Sequence, residues 1–159
     1  MDKLVESLAA IFLQKKWRLS TAESCTGGLV AASITDLPGS SDWFERGYVT
    51  YSNKAKSEDI EVSNELIEKH GAVSEEVAKA MAIGTQKKSQ SNASLSITGI
   101  AGPTGGTSEK PVGMVCFAWR LPDTSVITET QIFLGDRETI RKQACCHALE
   151  RLLALCAKQ

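Results

Sequence analysis

Residues 21–28 read Thr-Ala-Glu-Ser-Cys-Thr-Gly-Gly and set two nucleophiles, Ser24 and Cys25, side by side between an acid and two glycines. The segment falls where a short apolar strand gives way to a helix. At such a junction a side chain projects from the end of a sheet, and the first N–H groups of the helix point at the same spot. That layout suits a nucleophile beside an anion or oxyanion site. A serine hydroxyl needs a base to take its proton. The two histidines, His70 and His147, are poorly placed for this. His70 stands at a helix end before Gly71, where the helix dipole favours a cation. His147 lies beside the apolar stripe of the last helix. Cys25 competes with Ser24, because a thiol at a helix N-terminus is acidified. The commoner fate of a free cysteine is that of a small buried hydrophobe.

A second source of bases is Tyr48-Val49-Thr50-Tyr51-Ser52-Asn53-Lys54-Ala55-Lys56. Sites in open α/β sheets gather at strand ends. A partly desolvated Lys54 or Lys56 can act as a general base there, with Tyr51 relaying a proton or holding an oxyanion. Solvated lysines before a helix and a core tyrosine with a wet tip fit the same residues. Residues 98–107, Thr-Gly-Ile-Ala-Gly-Pro-Thr-Gly-Gly-Thr, hold four glycines and follow a strand. Backbone N–H groups can approach a phosphate or carboxylate closely in such a loop, although a wide surface turn has the same composition. The spacing is neither the P-loop nor the dinucleotide fingerprint. Arg137 and Arg141 lie four apart on one helix face, fit either to clamp a phosphate or to sit in solvent.

The elements that must hold these groups follow from periodicity. Leu4, Val5, Leu8, Ile11 and Phe12 give a first amphipathic helix. Trp17 to Ala22 reads as a short strand with Leu19 its core residue. A helix from Gly27 carries Leu29, Val30, Ala32 and Ile34 and stops before Pro38-Gly39. Phe44 to Tyr51 is a strand, and Ser52 to Ile60 reads as a loop entering a short helix. Ser63 caps a helix ending at His70-Gly71. Ser74 caps a longer one, packed through Val77, Ala80, Met81 and Gly84 and flanked by Ala78 and Ile83. Ser94 to Thr98 is a strand. Val112–Trp119 and Ser125–Phe133 form a hairpin. Asp136 caps a last helix with Ile140, Ala144, Ala148, Leu152 and Leu155 on one face. Helices interleaved with strands, plus a hairpin, predict one domain over residues 1–159: a three-layer α/β/α sandwich with a mixed sheet.

Composition narrows the function classes. The net charge is −1 and no basic stripe runs along the chain, which argues against nucleic acid as partner. No apolar run approaches the ~18–20 residues of a membrane span. Five cysteines without CxxC spacing, and no signal peptide, point to a reducing cytoplasm. They also give no zinc pattern, so neither metal nor cofactor is expected.

The residues together resemble the C-terminal domain family of the competence/damage-inducible protein CinA, and within it the stand-alone nicotinamide-nucleotide amidases. The matching stretches are TAESCTGG (21–28), PGSSDWFERGYVTYSNKAK (38–56), HGAVSEEVAKAMAIG (70–84), SITGIAGPTGG (96–106), EKPVGMV (109–115) and GDR (135–137). The resemblance implies a three-layer α/β/α fold, often oligomeric. It also implies hydrolysis of nicotinamide mononucleotide to nicotinate mononucleotide and ammonia. By motif, Ser24 is the nucleophile, and Tyr51 and Lys56 are its activating partners. N–H groups near Cys25, Thr26, Gly27 and Gly28, or in the 98–106 loop, hold the oxyanion. Thr98, Gly99, Gly102, Thr104 and Gly105 meet the nucleotide, and Arg141 its phosphate. Longer members carry a further N-terminal domain resembling molybdopterin-binding proteins, with its own hydrolase activity. That activity is not expected here. The family also holds paralogues that keep the fold without turnover, and an inactive nucleotide binder is the alternative reading.

Overall fold

The computed structural model describes all 159 residues. The elements run α1 (Asp2–Lys15), β1 (Leu19–Glu23), α2 (Leu29–Thr35), β2 (Phe44–Val49), α3 (Asn53–Ile60), α4 (Asn64–His70), α5 (Glu75–Ser89), β3 (Ala93–Gly99), β4 (Met114–Arg120), β5 (Ile127–Ile132) and α6 (Arg137–Cys156), with one 3-10 turn at Ser40–Asp42. The strand order is β2-β1-β3-β4-β5. β1 pairs in parallel with both β2 and β3, while β3–β4 and β4–β5 are antiparallel. The mixed sheet and its three layers are as the sequence predicts. No helix is long and apolar enough to cross a membrane.

The two faces of the sheet are built differently. Side chains alternate along a strand. Leu19 of β1, Leu95 and Ile97 of β3, and Val115, Phe117 and Trp119 of β4 all join one large core with α1, α2 and α6. The opposite positions are small: Ala22, Ser94, Ser96, Cys116 and Ala118, every one buried. Over them lies α5, close enough that Ser94 and Ser96 hydroxyls donate to the carbonyls of Ala82 and Ala78 at 2.8 and 2.6 Å. A third hydroxyl, Thr98 Oγ1, donates to Ala72 just before α5 at 2.8 Å. α3 and α4 pack beside α5 through Ile60, Ile67 and Met81.

Element edges differ from the periodicity in instructive ways. β1 ends at Glu23, one residue later than its apolar run, and is buried along its whole length. Polar Ser20, Thr21 and Glu23 are inside because layers cover both faces. The short helix expected after a loop in 52–60 begins at once, α3 running from Asn53 with Ser52 Oγ accepting from Ala55 N at 3.0 Å. Low apolar content hid its start: only Lys56 and Ile60 are buried. β2 stops at Val49, so Tyr51 stands in the connection to α3. On α5, Ala82 is buried while Ile83 is exposed and Ala80 only half-buried, so the packed face is rotated from the predicted stripe toward the sheet.

Gly84 of α5 marks the closest approach of helices, since a Cβ there would run into the Ile60 carbonyl at the end of α3. Gly84→Ala is therefore expected to destabilise the protein by about 1–3 kcal/mol, read as a lower midpoint in urea denaturation.

Candidate active site

Successive residues at the end of β1 project to opposite layers, and this divides their roles. Glu23 points toward α2. Its carboxylate accepts from the N–H groups of Gly28 and Val30 at 3.0 and 3.1 Å through Oε2, and from Ala31 at 2.9 Å through Oε1. The start of α2 is thus saturated by an internal anion. The sequence expectation that α2's own N-terminus faces a ligand is corrected by this contact. Glu23 is a residue the sequence reading passed over. An acid one strand-turn ahead of a helix is the signal that could have found it.

Ser24 points the other way, toward α3 and α5. Lys56 Nζ donates to Ser24 Oγ at 3.1 Å and to the carbonyl of Thr50 at 2.9 Å. Lys56 is 1% exposed and is the fourth residue of α3, so the 3.6-residue period turns it inward with Ile60. Lys54 lies on the outer face, exposed and paired with Glu58 at 3.6 Å. The two partners of the buried amine are a hydroxyl and a carbonyl, neither of them charged. Burial therefore drives the Lys56 pKa below the ordinary lysine value, with the Cys25 thiol opposing this slightly. When the amine is neutral, the same contact lets the hydroxyl give up its proton.

These groups line a cleft of about 220 Å³ with Cys25, Tyr51, Asn53, Thr98, Gly99 and Arg137. Cys25 is a poor rival nucleophile. Burial pushes its thiol up to about 12, with N–H groups of Cys25 and Thr26 pulling it down only in part. A Cβ on Gly99 would meet Val115, Met114 O and Cys25 Sγ within 3.0 Å, so glycine keeps the cleft wall close to the nucleophile turn.

The predicted site residues separate into those that meet here and those that do not. Ser24, Cys25, Tyr51, Lys56, Thr98 and Gly99 share the cleft. The Tyr51 hydroxyl is exposed at the rim and accepts from Arg137 Nη2 at 2.8 Å rather than from Ser24 or Lys56. Arg137 Nη1 donates to Gly102 O at 2.8 Å, which straps the glycine loop to the start of α6. Thr26 is buried in the turn behind Cys25, and Gly27 is at its surface. Thr104 and Gly105 are exposed on the outer part of the loop, outside the cleft lining. Arg141 also lies outside it. Its Nε donates to Cys25 O at 3.1 Å and its Nη2 to Thr26 O at 2.8 Å. Of Arg137 and Arg141 on α6, it is Arg137 that faces the cleft. Asn53, at the first turn of α3, joins the lining without having been singled out by sequence. Neither histidine reaches Ser24: His70 faces Glu76 at 3.4 Å, and His147 faces Glu129 at 3.0 Å. No three His, Cys, Asp or Glu side chains converge to hold a metal ion.

An α/β/α sheet with a buried Ser-Lys pair at the carboxyl end of its central parallel strand defines a class, and comparison with known proteins names it. The CinA C-terminal domain profile matches residues 1–156, and the chain belongs to that family. It is 47% identical over 153 residues to the nicotinamide-nucleotide amidohydrolase PncC of Enterobacter agglomerans, covering 96% of this chain and 93% of the relative. It is 54% identical over 134 residues to the protein of the same name from Escherichia coli K12, covering 84% and 81%. The crystal structure of the competence/damage inducible protein CihA from Agrobacterium tumefaciens superposes with a TM-score of 0.94 at 40% identity, covering 97% and 94%.

The depressed Lys56 pKa has a measurable consequence. The unfolded chain holds this proton up to the ordinary lysine pKa, and the folded protein releases it earlier. Stability should therefore rise with pH between the folded Lys56 midpoint and about 10.4. Urea denaturation across that range should show the rise in the wild type and its loss in Lys56→Met.

Proposed function

We propose that this protein hydrolyses the carboxamide of nicotinamide mononucleotide to nicotinate mononucleotide and ammonia, with Ser24 as nucleophile. The observation that carries the reading is the 3.1 Å contact between Ser24 Oγ and a lysine amine buried without a counter-ion. The amidohydrolase names of the relatives point to the same bond type. Neutral Lys56 takes the Ser24 proton as Oγ attacks the amide carbon. The resulting ammonium returns a proton to the leaving nitrogen, and ammonia departs from an acyl-serine. Water, deprotonated by the same amine, then releases the carboxylate and restores Ser24.

The cleft is smaller than the roughly 300–1,000 Å³ of typical small-molecule pockets. It suits the pyridine ring, with ribose and phosphate directed to the open rim. There Arg137 and Asn53 are the groups available to the phosphate end, with the 98–106 loop beside them. Tyr51 accepts from Arg137, so its own proton is free for the substrate. A small nucleotide as ligand, self-association of the chain and a cytoplasmic setting belong to the same reading.

Ammonia release from nicotinamide mononucleotide, NAD and nicotinamide tests the proposal. The mononucleotide should be turned over and free nicotinamide poorly, because remote phosphate contacts position the amide. Ser24→Ala should lower kcat by about 10⁴ or more, and Lys56→Met by about 10²–10⁴. Wild type as silent as Ser24→Ala, with the nucleotide still bound, would instead identify a non-catalytic binder. Arg137→Ala should raise KM for the mononucleotide about tenfold or more, with a smaller change for the phosphate-free nucleoside.

A further inference from the structure

Every backbone N–H between residues 24 and 31 can be accounted for. Ser24 donates to Ile97 O at 2.9 Å, Gly27 to Ser24 O at 3.0 Å and Leu29 to Thr26 O at 3.3 Å. Gly28, Val30 and Ala31 are taken by Glu23. Two remain. The N–H groups of Cys25 and Thr26 donate to no oxygen, immediately after the nucleophile and at a residue that lines the cleft. Buried backbone donors are almost always paired, and here only the Cys25 sulfur, a weak acceptor, lies near them, so the pair is a place for an oxygen that arrives with substrate.

Which way such a pair faces depends on the peptide planes. In a trans peptide the carbonyl and the following N–H point in opposite directions. The one cis bond of the chain is Gly102–Pro103, away from this turn. Arg141 Nε holds Cys25 O at 3.1 Å, which turns the Thr26 N–H away from α6. The second arm, on Thr26 O at 2.8 Å, turns the Gly27 N–H back toward Ser24 O, where it is found. α6 packs on one face of the sheet, and the Ser24 hydroxyl lies on the other with Lys56. A planar guanidinium grips two successive carbonyls in a fixed fork, which a lysine amine cannot do.

We infer that Arg141 is a positioning residue for the hydrolysis proposed above: it fixes the Cys25–Thr26 peptide so that the Thr26 N–H, beside the Cys25 N–H whose own peptide is held by the Gly27 N–H on Ser24 O, receives the tetrahedral oxyanion. This rests on the proposed function for its substrate, though not for its geometry. The competing role, an anchor for the nucleotide phosphate, makes a different kinetic prediction.

The test uses Arg141→Gln and Arg141→Lys in the full chain, each checked for a native thermal transition. Kinetics on nicotinamide mononucleotide should show kcat reduced about 10²–10³-fold with KM changed by less than about threefold. Affinity for the mononucleotide in a Ser24→Ala background should be unaffected by the Arg141 change. Pyridine-3-boronic acid, captured by Ser24 as a tetrahedral adduct, should bind more weakly in both variants, while the pH midpoint set by Lys56 stays in place. Arg141→Lys should fail to rescue, because charge alone does not orient the peptide. A rise in KM and in nucleotide Kd with kcat intact would overturn the inference in favour of a phosphate anchor, and so would unchanged boronate affinity. Wild type that captures the boronate but releases no ammonia from the mononucleotide would sink the substrate reading alone. The boronate comparison between wild type and variants would still decide the role of Arg141.

Discussion

A lysine amine held away from water by a serine hydroxyl and a main-chain carbonyl is the contact on which the rest of the molecule depends. Burying an ammonium without a counter-ion is unfavourable. The fold sustains it because Lys56 is locked from several directions. α3 is capped by Ser52 and closed by Ile60, α5 lies against that helix at Gly84, and β1 delivers Ser24 to meet the amine. The same unfavourable burial makes the amine give up its proton more readily than an ordinary lysine, which is what the proposed role as base requires.

The sheet makes room for this by being asymmetric. One face carries Phe117, Trp119, Leu95 and Ile97 under α1, α2 and α6 and supplies most of the apolar burial. The other carries alanines, serines and a cysteine, so α5 can come down close and be fixed by hydroxyl-to-carbonyl bonds. The cleft with Ser24 and Lys56 sits on the thin side, where backbone and side-chain polar groups are close together. The thick side supplies rigidity, and its polar contacts to the turn after β1 run through Glu23 and Arg141.

Much of this was legible in the residues. The layer order, the hairpin, the serine caps at Ser63 and Ser74 and the apolar face of α6 follow from period and capping chemistry. The family motif selected Lys56, where local spacing left Lys54 equally eligible. The difference is a two-residue offset, a little over half a helical turn, which puts Lys54 outside and Lys56 inside once the helix is packed. What escaped was the work of polar groups whose partners are backbone atoms. Glu23 reads only as an acid preceding Ser24 and is a helix cap, and Arg141 reads as a phosphate ligand and holds two carbonyls. Such bonds leave little trace in side-chain patterns, because the acceptor or donor on the other end is the same for every residue type. The start of α3 was obscured for a related reason: a helix anchored by a buried lysine shows no apolar stripe.

α6 contributes Arg137 to the rim strap and Arg141 to the nucleophile turn, one helical turn apart on a single rigid rod. One turn of helix is about 5.4 Å. A slide or roll of that rod would move both arginines together, like two cams on one shaft. The strap at the rim and the grip on the turn after β1 are therefore mechanically coupled, with no messenger between them beyond the stiffness of the helix itself.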